Sequence, residues 1–430
     1  MKNLTLISSC CLLFLMQPII AQNIENEQKA EVLKNLITEL KNSYIDESKA
    51  VEMADHLNEN IWNGNYDSIQ SATEFAFILT QNIRSISNDL HLEVLYSDSP
   101  VQAESNEGND ETWLIDLLEN NGYGVKKKKI LDGNIGYLEI PFFGPITHCA
   151  DSLFEAMKFI SETDALILDL RECRGSLDPN MIPLFSGYFF DQPVHLFDFE
   201  NRKKNTLKQM WSAAYVPGPK YLGKPLYILT SGRTFSGGEE FAYDMKHLGR
   251  AKLLGQVTKG GANPKFPVQL SENFLVTIPM ERSINSVTGT NWEAVGVQPD
   301  VEMHAALALH QGQVMVLEEL LATEKDPKKV SQLNQNLEKM KETIPELKCV
   351  EISLTGYPEA KQILVSGTFN YWATNTNFLQ KTDQGWEGFV EVFPGEHRYQ
   401  LVIDGRWVPD PTNPNQIKEG NRIYSLLKVN

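Results

Sequence analysis

Residues Tyr227–Gly249 read YILTSGRTFSGGEEFAYDMKHLG. An apolar run ends in Thr230-Ser231-Gly232. Ser236 then stands between Phe235 and two glycines, and an amphipathic segment follows. This order of apolar run, small-residue loop and helical period describes a strand feeding a helix, with Ser236 at the junction. Ser236-Gly237-Gly238-Glu239 fits a capping box, in which the serine oxygen accepts from a first-turn N–H and Glu239 reaches back. A serine at the mouth of a helix, where free N–H groups attract an anion, equally has the setting of a nucleophile. The pattern is not the Gly-x-Ser-x-Gly elbow of the α/β-hydrolases. Cap and nucleophile both remain open on this stretch alone.

The flanks extend the strand–helix theme. GNIGYLEI (133–140) is strand-like and DSLFEAMKFIS (151–161) is helical. DALILDLREC (164–173) is nearly continuous in apolar residues, as in a strand buried on both faces. AKLLGQVT (251–258) and ENFLVTIPM (272–280) read as further strands. Strands alternating with helices imply an α/β core on a largely parallel sheet. Such sheets hold ligands at the carboxyl ends of their strands, which places a site where YILTSGRTF ends.

A chain of 430 residues accommodates two to three domains of about 100–200 residues. Residues 22–95 carry three amphipathic helical patterns with short polar joints, an N-terminal helical cap. In the first, Val32, Leu33, Leu36, Ile37 and Leu40 form one stripe. Residues 96–129 read as linker and edge strands: 98–112 is polar and acidic, and Lys126–Lys129 suits a solvated loop or edge strand. The core runs over 130–345, with helices after Asp300 packing on it. From 350 to 430 short alternating strands with turns at Pro394-Gly395 and Asp404-Gly405 describe a small β-sandwich.

The first 21 residues have a positive start, an apolar stretch and Ala21 for cleavage, the form of a secretory signal peptide. A secreted or periplasmic protein follows. A surface lipoprotein through Cys10 is the lesser option, because most of the apolar region lies after that cysteine. No later segment is apolar enough to span a bilayer. The net charge of −17 argues against a nucleic-acid partner. Cys149, Cys173 and Cys349 form no disulfide framework, and without a C-x-x-C pair no zinc site is expected.

A serine nucleophile needs a base, a group to orient that base, and donors for the oxyanion. His91, in SNDLHLEVLYS, stands where the cap ends and a strand begins. A core or surface histidine explains it as well, and His148, in PFFGPITHCA, is the other candidate.

Four segments together resemble the tricorn and C-terminal processing peptidase family: NDLHLEV, DALILDLRECRGS, the stretch from Gly223 to Pro264 around Ser236, and RSINSVTGTNWEAVGVQPDVEM. Their order and spacing agree over about residues 25–325, nearest the branch that includes interphotoreceptor retinoid-binding protein. The resemblance implies a β-α superhelix core of the crotonase and ClpP type and a serine peptidase acting on peptides or proteins without a metal or organic cofactor. It implies Ser236 as nucleophile, His91 as base, Glu293 as the acid orienting it, and the N–H groups of Gly237 and Gly175 as oxyanion donors. Another branch uses a Ser-Lys pair; here Gly261 occupies the lysine position and Lys259 falls two residues early. Two departures stand out: Ser176 replaces a second loop glycine, and Cys173 replaces an asparagine, reading as a small buried residue. The retinoid-binding branch offers an alternative, a binding protein for apolar ligands.

The C-terminal segment from Val365 resembles the glycogen-binding early-set domain of AMP-activated kinase β subunits, an immunoglobulin-like sandwich. That implies glucan-stacking positions at Trp372 and Trp407, with Trp386 in the core. Gln400 stands where that family has a sugar-contacting lysine. A purely structural sandwich, and a glycan-associated surface protein, are the other readings of this segment.

Overall fold

The computed structural model describes residues 23–101 and 112–430. Both the signal-peptide segment and residues 102–111 of the expected loop lie outside them. The cap is formed by α1 (Asn26–Ser43), α2 (Glu47–Trp62) and α3 (Ala72–Ser87). The α1 stripe buries Val32, Leu33, Leu36 and Leu40. Ser71 caps α3, accepting from Glu74 N. Asn88 ends it in the left-handed region, φ 57°, which asparagine tolerates. The chain then enters β1 (Glu93–Tyr96).

The expected linker also contains a helix, α4 (Thr112–Asn120). Its apolar residues Leu114, Leu117 and Leu118 recur at helical spacing and pack on the main core, which stabilises a helix the polar flanks had obscured. The lysine run forms an edge strand, β2 (Lys127–Leu131). There follow β3 (Ile135–Glu139), α5 (Ile146–Ile160), β4 (Ala165–Asp169), α6 (Met181–Ser186), β5 (His195–Asn201), β6 (Thr206–Trp211), β7 (Leu226–Thr230), α7 (Gly237–His247) and β8 (Lys252–Gly255). Then come β9 (Lys265–Gln269), β10 (Phe274–Pro279), β11 (Glu281–Asn285), β12 (Val301–Glu302), α8 (Ala308–Thr323) and α9 (Pro327–Glu342).

The central sheet has the order β12-β8-β7-β4-β3-β2 and is parallel except for β2 against β3. The apolar run in β4 divides between two cores. Leu166 and Leu168 join the cluster beneath α5 and α7, whereas Ala165 and Ile167 join that of α8. Alternate side chains of a strand point to opposite faces, so burial on both sides demands an unbroken apolar sequence.

The strand expected over Glu272–Met280 does not join this sheet. β10 pairs antiparallel with β9 and with β1, and its apolar residues pack against the cap helices. β5, β6 and β11 form a third, antiparallel sheet.

The C-terminal domain comprises β13 (Lys348–Leu354), β14 (Ile363–Gly367), β15 (Gln380–Thr382), β16 (Gly385–Val392), β17 (Gly395–Ile403), β18 (Arg406–Val408), β19 (Gln416–Glu419) and β20 (Arg422–Val429). A sheet of β13-β16-β15 faces one of β14-β17-β20-β19, with β18 on β17, across a shared apolar core. Trp386 lies in that core. Asp404-Gly405 makes a two-residue hairpin, both at positive φ, as a type I′ turn requires. Pro394-Gly395 makes none: β16 and β17 belong to different sheets, so this turn crosses the sandwich.

Among the described residues no helix is long and apolar enough to cross a membrane.

Candidate active site

The loop from β7 to Ser236 is bonded to the loop after β4. Ser231 Oγ donates to Arg171 O at 2.6 Å, Thr234 Oγ1 donates to Leu170 O at 2.8 Å, and Phe235 N donates to Cys173 O at 3.0 Å. Ser236 itself has φ 50°, ψ −120°. A β-carbon in that region costs about 1–3 kcal/mol and persists only where the surroundings impose it.

The Glu239 half of the capping box is formed: the carboxylate accepts from Ser236 N at 2.7 Å. It also accepts from Gly260 N at 2.6 Å, Gly261 N at 2.9 Å and the Thr258 hydroxyl. Burial pushes Glu239 up to about 7, against the pull of those donors. Thus one carboxyl group ties the start of α7 to the loop after β8.

Gly175 and Gly237 meet at the serine. Gly175 has φ +119°, and a Cβ there would lie 3.0 Å from Ser236 Cβ and 3.5 Å from Gly237 N. A Cβ on Gly237 would lie 2.7 Å from Ser176 Cβ and 2.9 Å from Ser176 N. Both positions therefore need glycine, one for backbone conformation and both for space. Ser176, the departure from the family loop, packs directly on Gly237. Cys173 is fully buried and lies under Gly238. None of Cys149, Cys173 and Cys349 is in a disulfide.

His91 is 2% exposed. The Asp89 carboxylate accepts from His91 N at 2.9 Å, turning the chain after α3, and His91 O accepts from Thr277 Oγ1 of β10 at 2.6 Å. The imidazole stacks on Phe235, the neighbour of Ser236, with centroids 4.7 Å apart and planes 29° from parallel. Gly261 leaves room for both rings: a Cβ there would fall 2.3 Å from Phe235 and 2.9 Å from His91 Cε1. Burial, then Lys265, Arg84 and Lys259, hold His91 well below its ordinary range. Among the described residues no hydrogen bond joins Ser236 to His91; Phe235 is the contact between the two halves.

Two carboxylates accompany the histidine. Glu293 accepts from Ala262 N at 2.6 Å and Asn263 N at 3.2 Å. Asp89 accepts from Tyr44 Oη at 3.1 Å and Asn263 Nδ2 at 3.2 Å. Ligating atoms of Asp89, His91 and Glu293 lie within 4.8 Å of one another, a donor set with which a divalent cation is chemically compatible. His91 Nδ1 and Glu293 Oε1 are buried without a hydrogen-bond partner, and Nδ1 lies 3.9 Å from Asp89 Oδ1. Burial, with the Asp89 charge next, drives Glu293 well above its ordinary range. Sequence reasoning missed Asp89. Its signal was slight, an aspartate two residues before His91, because its other partners are Tyr44, just after α1, and Asn263, in the loop before β9.

Ser236, Gly175 and Gly237 are thus together, and His91 and Glu293 are together. The Lys259 ammonium lies 5.0 Å from the Phe235 ring centre. His148 is in the first turn of α5, apart from this cluster. In the sandwich, the rings of Trp372 and Trp407 are 6.3 Å apart, and Tyr424, not anticipated as a partner, stands 5.3 Å from Trp372. Gln400 turns away into a bond to Ile423 O.

The core is that of a peptidase domain. Residues 134–303 match peptidase family S41. Residues 22–120 match the N-terminal domain of Peptidase_S41 in eukaryotic IRBP, and residues 350–430 match the glycogen recognition site of AMP-activated protein kinase. The sandwich is 32% identical over 69 residues to 5′-AMP-activated protein kinase subunit beta-2 of Mus musculus, covering 16% of this chain and 25% of that protein. Subunit beta-1 of Sus scrofa is 26% identical over 69 residues, 16% of this chain and 55% of that sequence. The chain therefore spans about a quarter of the beta-2 subunit. Solved structures similar to it include a lipoprotein from Streptococcus agalactiae (17% identity, TM-score 0.47, 67% of this chain and 96% of that one). Others are the photosystem II D1 C-terminal processing protease (14%, 0.43, 66% and 95%) and the tricorn protease (17%, 0.44, 73% and 37%).

Proposed function

We propose that the protein is a serine endopeptidase or carboxyl-terminal-type peptidase acting outside the cytoplasm, with Ser236 as nucleophile. The observation that carries this reading is the packing of Gly175 on Ser236 at the mouth of α7. That close approach supports the N–H groups of Gly175 and Gly237 as the oxyanion donors of the proposed site.

In the proposed cycle Ser236 Oγ attacks the scissile carbonyl and its proton passes to His91, through a hydrogen bond that is absent in the resting structure and forms when substrate binds. The oxyanion accepts from the two glycine N–H groups, as donors aimed at developing charge should. His91 then gives the proton to the leaving amine, and water releases the acyl group by the same route. A base must be neutral to act, and burial favours neutral His91. Asp89 is occupied by three donors, whereas Glu293 keeps one oxygen free. We therefore assign Glu293 as the group that orients the ring during the cycle; in the resting structure His91 Nδ1 makes no hydrogen bond and lies 3.9 Å from Asp89 Oδ1.

An apolar-ligand carrier would need a cavity of about 300–1,000 Å³. The apolar pocket lined by Phe142, Phe143, Cys149, Leu153, Met181 and Phe185 holds about 20 Å³, and a pocket of about 300 Å³ has charged residues in its wall, among them Lys126, Glu139, Asp169 and Arg171, so neither supports an apolar-ligand carrier. In the sandwich the Trp372–Trp407–Tyr424 face supports a glucan ligand. Secretion rests on the N-terminal sequence, and sequencing the mature N-terminus tests it.

The deciding experiment is labelling by a fluorophosphonate. The full chain should be labelled and Ser236→Ala should not; labelling that survives in a folded Ser236→Ala variant sinks the assignment.

A further inference from the structure

Residues 371–375 of the sandwich touch the segments that frame Ser236. The Tyr371 hydroxyl accepts from Arg171 Nη1 at 2.6 Å, and its ring lies 5.0 Å from the guanidinium. Arg171 opens the loop running to Gly175 and is itself held by Asp169 through Nε at 2.9 Å and Nη2 at 2.5 Å. The carbonyl of Trp372 accepts from Arg233 at 3.4 Å. Asn375 Nδ2 donates to Thr258 O at 3.2 Å, and the Thr258 hydroxyl donates to Glu239, which holds Ser236 N. Gly232 leaves no space between: a Cβ there would fall 2.0 Å from Asn375 Oδ1.

Backbone strain marks the same segment. Tyr371 and Trp372 both lie in the left-handed region, φ 57° and 61°, where each non-glycine residue costs about 1–3 kcal/mol. The strained pair sends Tyr371 to Arg171 and Trp372 to the rings of Trp407 and Tyr424.

A second grip falls on the cap. Arg406 pairs with Glu74 and its guanidinium lies 4.3 Å from the Phe77 ring centre. Gly405 backs onto Gln81. All three belong to α3, the helix whose end delivers His91. The sandwich therefore holds both the element carrying His91 and the loops carrying Ser236 and Gly175.

We propose that the C-terminal sandwich is a positioning part of the peptidase, with Tyr371 and Asn375 as positioning residues for the 171–176 and 231–237 loops. The reaction it serves is the one proposed above. Neither residue touches the reacting atoms; each acts through a loop.

The test uses the full chain with Tyr371→Phe, which keeps the ring and removes the hydroxyl, and Asn375→Ala. Amide hydrogen exchange reports the loops directly, and fluorophosphonate labelling gives a maximal rate and a probe affinity. Exchange in 171–176 and 231–237 should rise, and the maximal rate should fall, by about fivefold or more, as for modest coupling between sites. Probe affinity and melting temperature should hold. Unchanged loop exchange in the folded variants overturns the proposal, and so does a uniform rise across core and sandwich, the mark of a merely structural role. If Tyr371→Phe does not fold, Asn375→Ala decides alone. If the unaltered chain fails to label, the peptidase reading falls, while loop exchange still decides the positioning.

Discussion

A β-carbon on Gly175 would stand 3.0 Å from the β-carbon of Ser236. The loop after β4 thus approaches the serine as closely as a backbone without a side chain allows. At φ +119° alanine is strained as well as crowded. Gly175→Ala should keep the fold at a cost of about 1–3 kcal/mol and lower fluorophosphonate labelling about a hundredfold, because the added methyl displaces the loop and with it the N–H aimed at the oxyanion. Melting and labelling measured together check this; labelling at the unaltered rate would remove Gly175 from the proposed oxyanion site.

The pH dependence follows from His91. Burial, with Lys265, Arg84 and Lys259 behind it, lowers its protonation range. Acylation should therefore persist as pH falls through the ordinary histidine range and fail only below it. Removing a neighbouring cation favours the imidazolium, so Lys265→Ala should move the acid limb to higher pH. The sign for stability runs the same way. A histidine depressed in the fold contributes stability that is present above its unfolded value and lost as pH falls through its folded one. The labelling rate against pH for both proteins measures the shift; a limb that stays put in Lys265→Ala would remove the electrostatic account.

Much of this was legible in the sequence. Divided burial explains why β4 and β7 read as unbroken apolar strands, and the helical stripe of α1 shows its packing face. Ser236 at a strand-to-helix junction follows from local pattern alone. What escaped depends on partners distant in the chain. Asp89 owes its place to Tyr44 and Asn263, and β10 left the parallel sheet because the cap covers one of its faces. Nothing near Pro394-Gly395 says that β16 and β17 lie in different sheets. Local spacing carries the element; only the assembled surface says what it packs against.

Glu240 and Asp244 lie one turn apart on α7, both buried. Ser283 donates to Glu240 and Asn285 to Asp244, at 2.6 and 2.9 Å, yet one oxygen of each lacks a partner. Burial, then the charge of Asp244, raises Glu240 well above the carboxylate range, and burial raises Asp244 likewise. Groups raised in the fold contribute stability that is full below their unfolded values and lost as pH rises through the folded ones. The melting temperature should therefore fall as pH is raised, and Glu240→Gln, which cannot ionise, should flatten that fall. Ser236 opens the same helix, so labelling should decline in parallel. Thermal melts across a pH series check it, and equal slopes for both proteins would count against the pair.

The sandwich face makes the last prediction. Trp372, Trp407 and Tyr424 form a contiguous aromatic surface, and Trp407 is 38% exposed, as a platform for sugar rings must be. Pyranose rings stack on aromatic faces through their apolar C–H sides, burying the large apolar area of the aromatic ring. Gln400 is spent on Ile423 O, so the aromatics would have to supply most of the affinity. Titration with a maltooligosaccharide should give measurable binding heat, weakened about tenfold or more when Trp372 and Trp407 are both changed to alanine. Trp386→Ala should instead lower the melting temperature, because that ring is buried. No heat with the intact chain, or heat indifferent to the double change, would leave the sandwich with its contacts to Arg171 and α3 as its whole role.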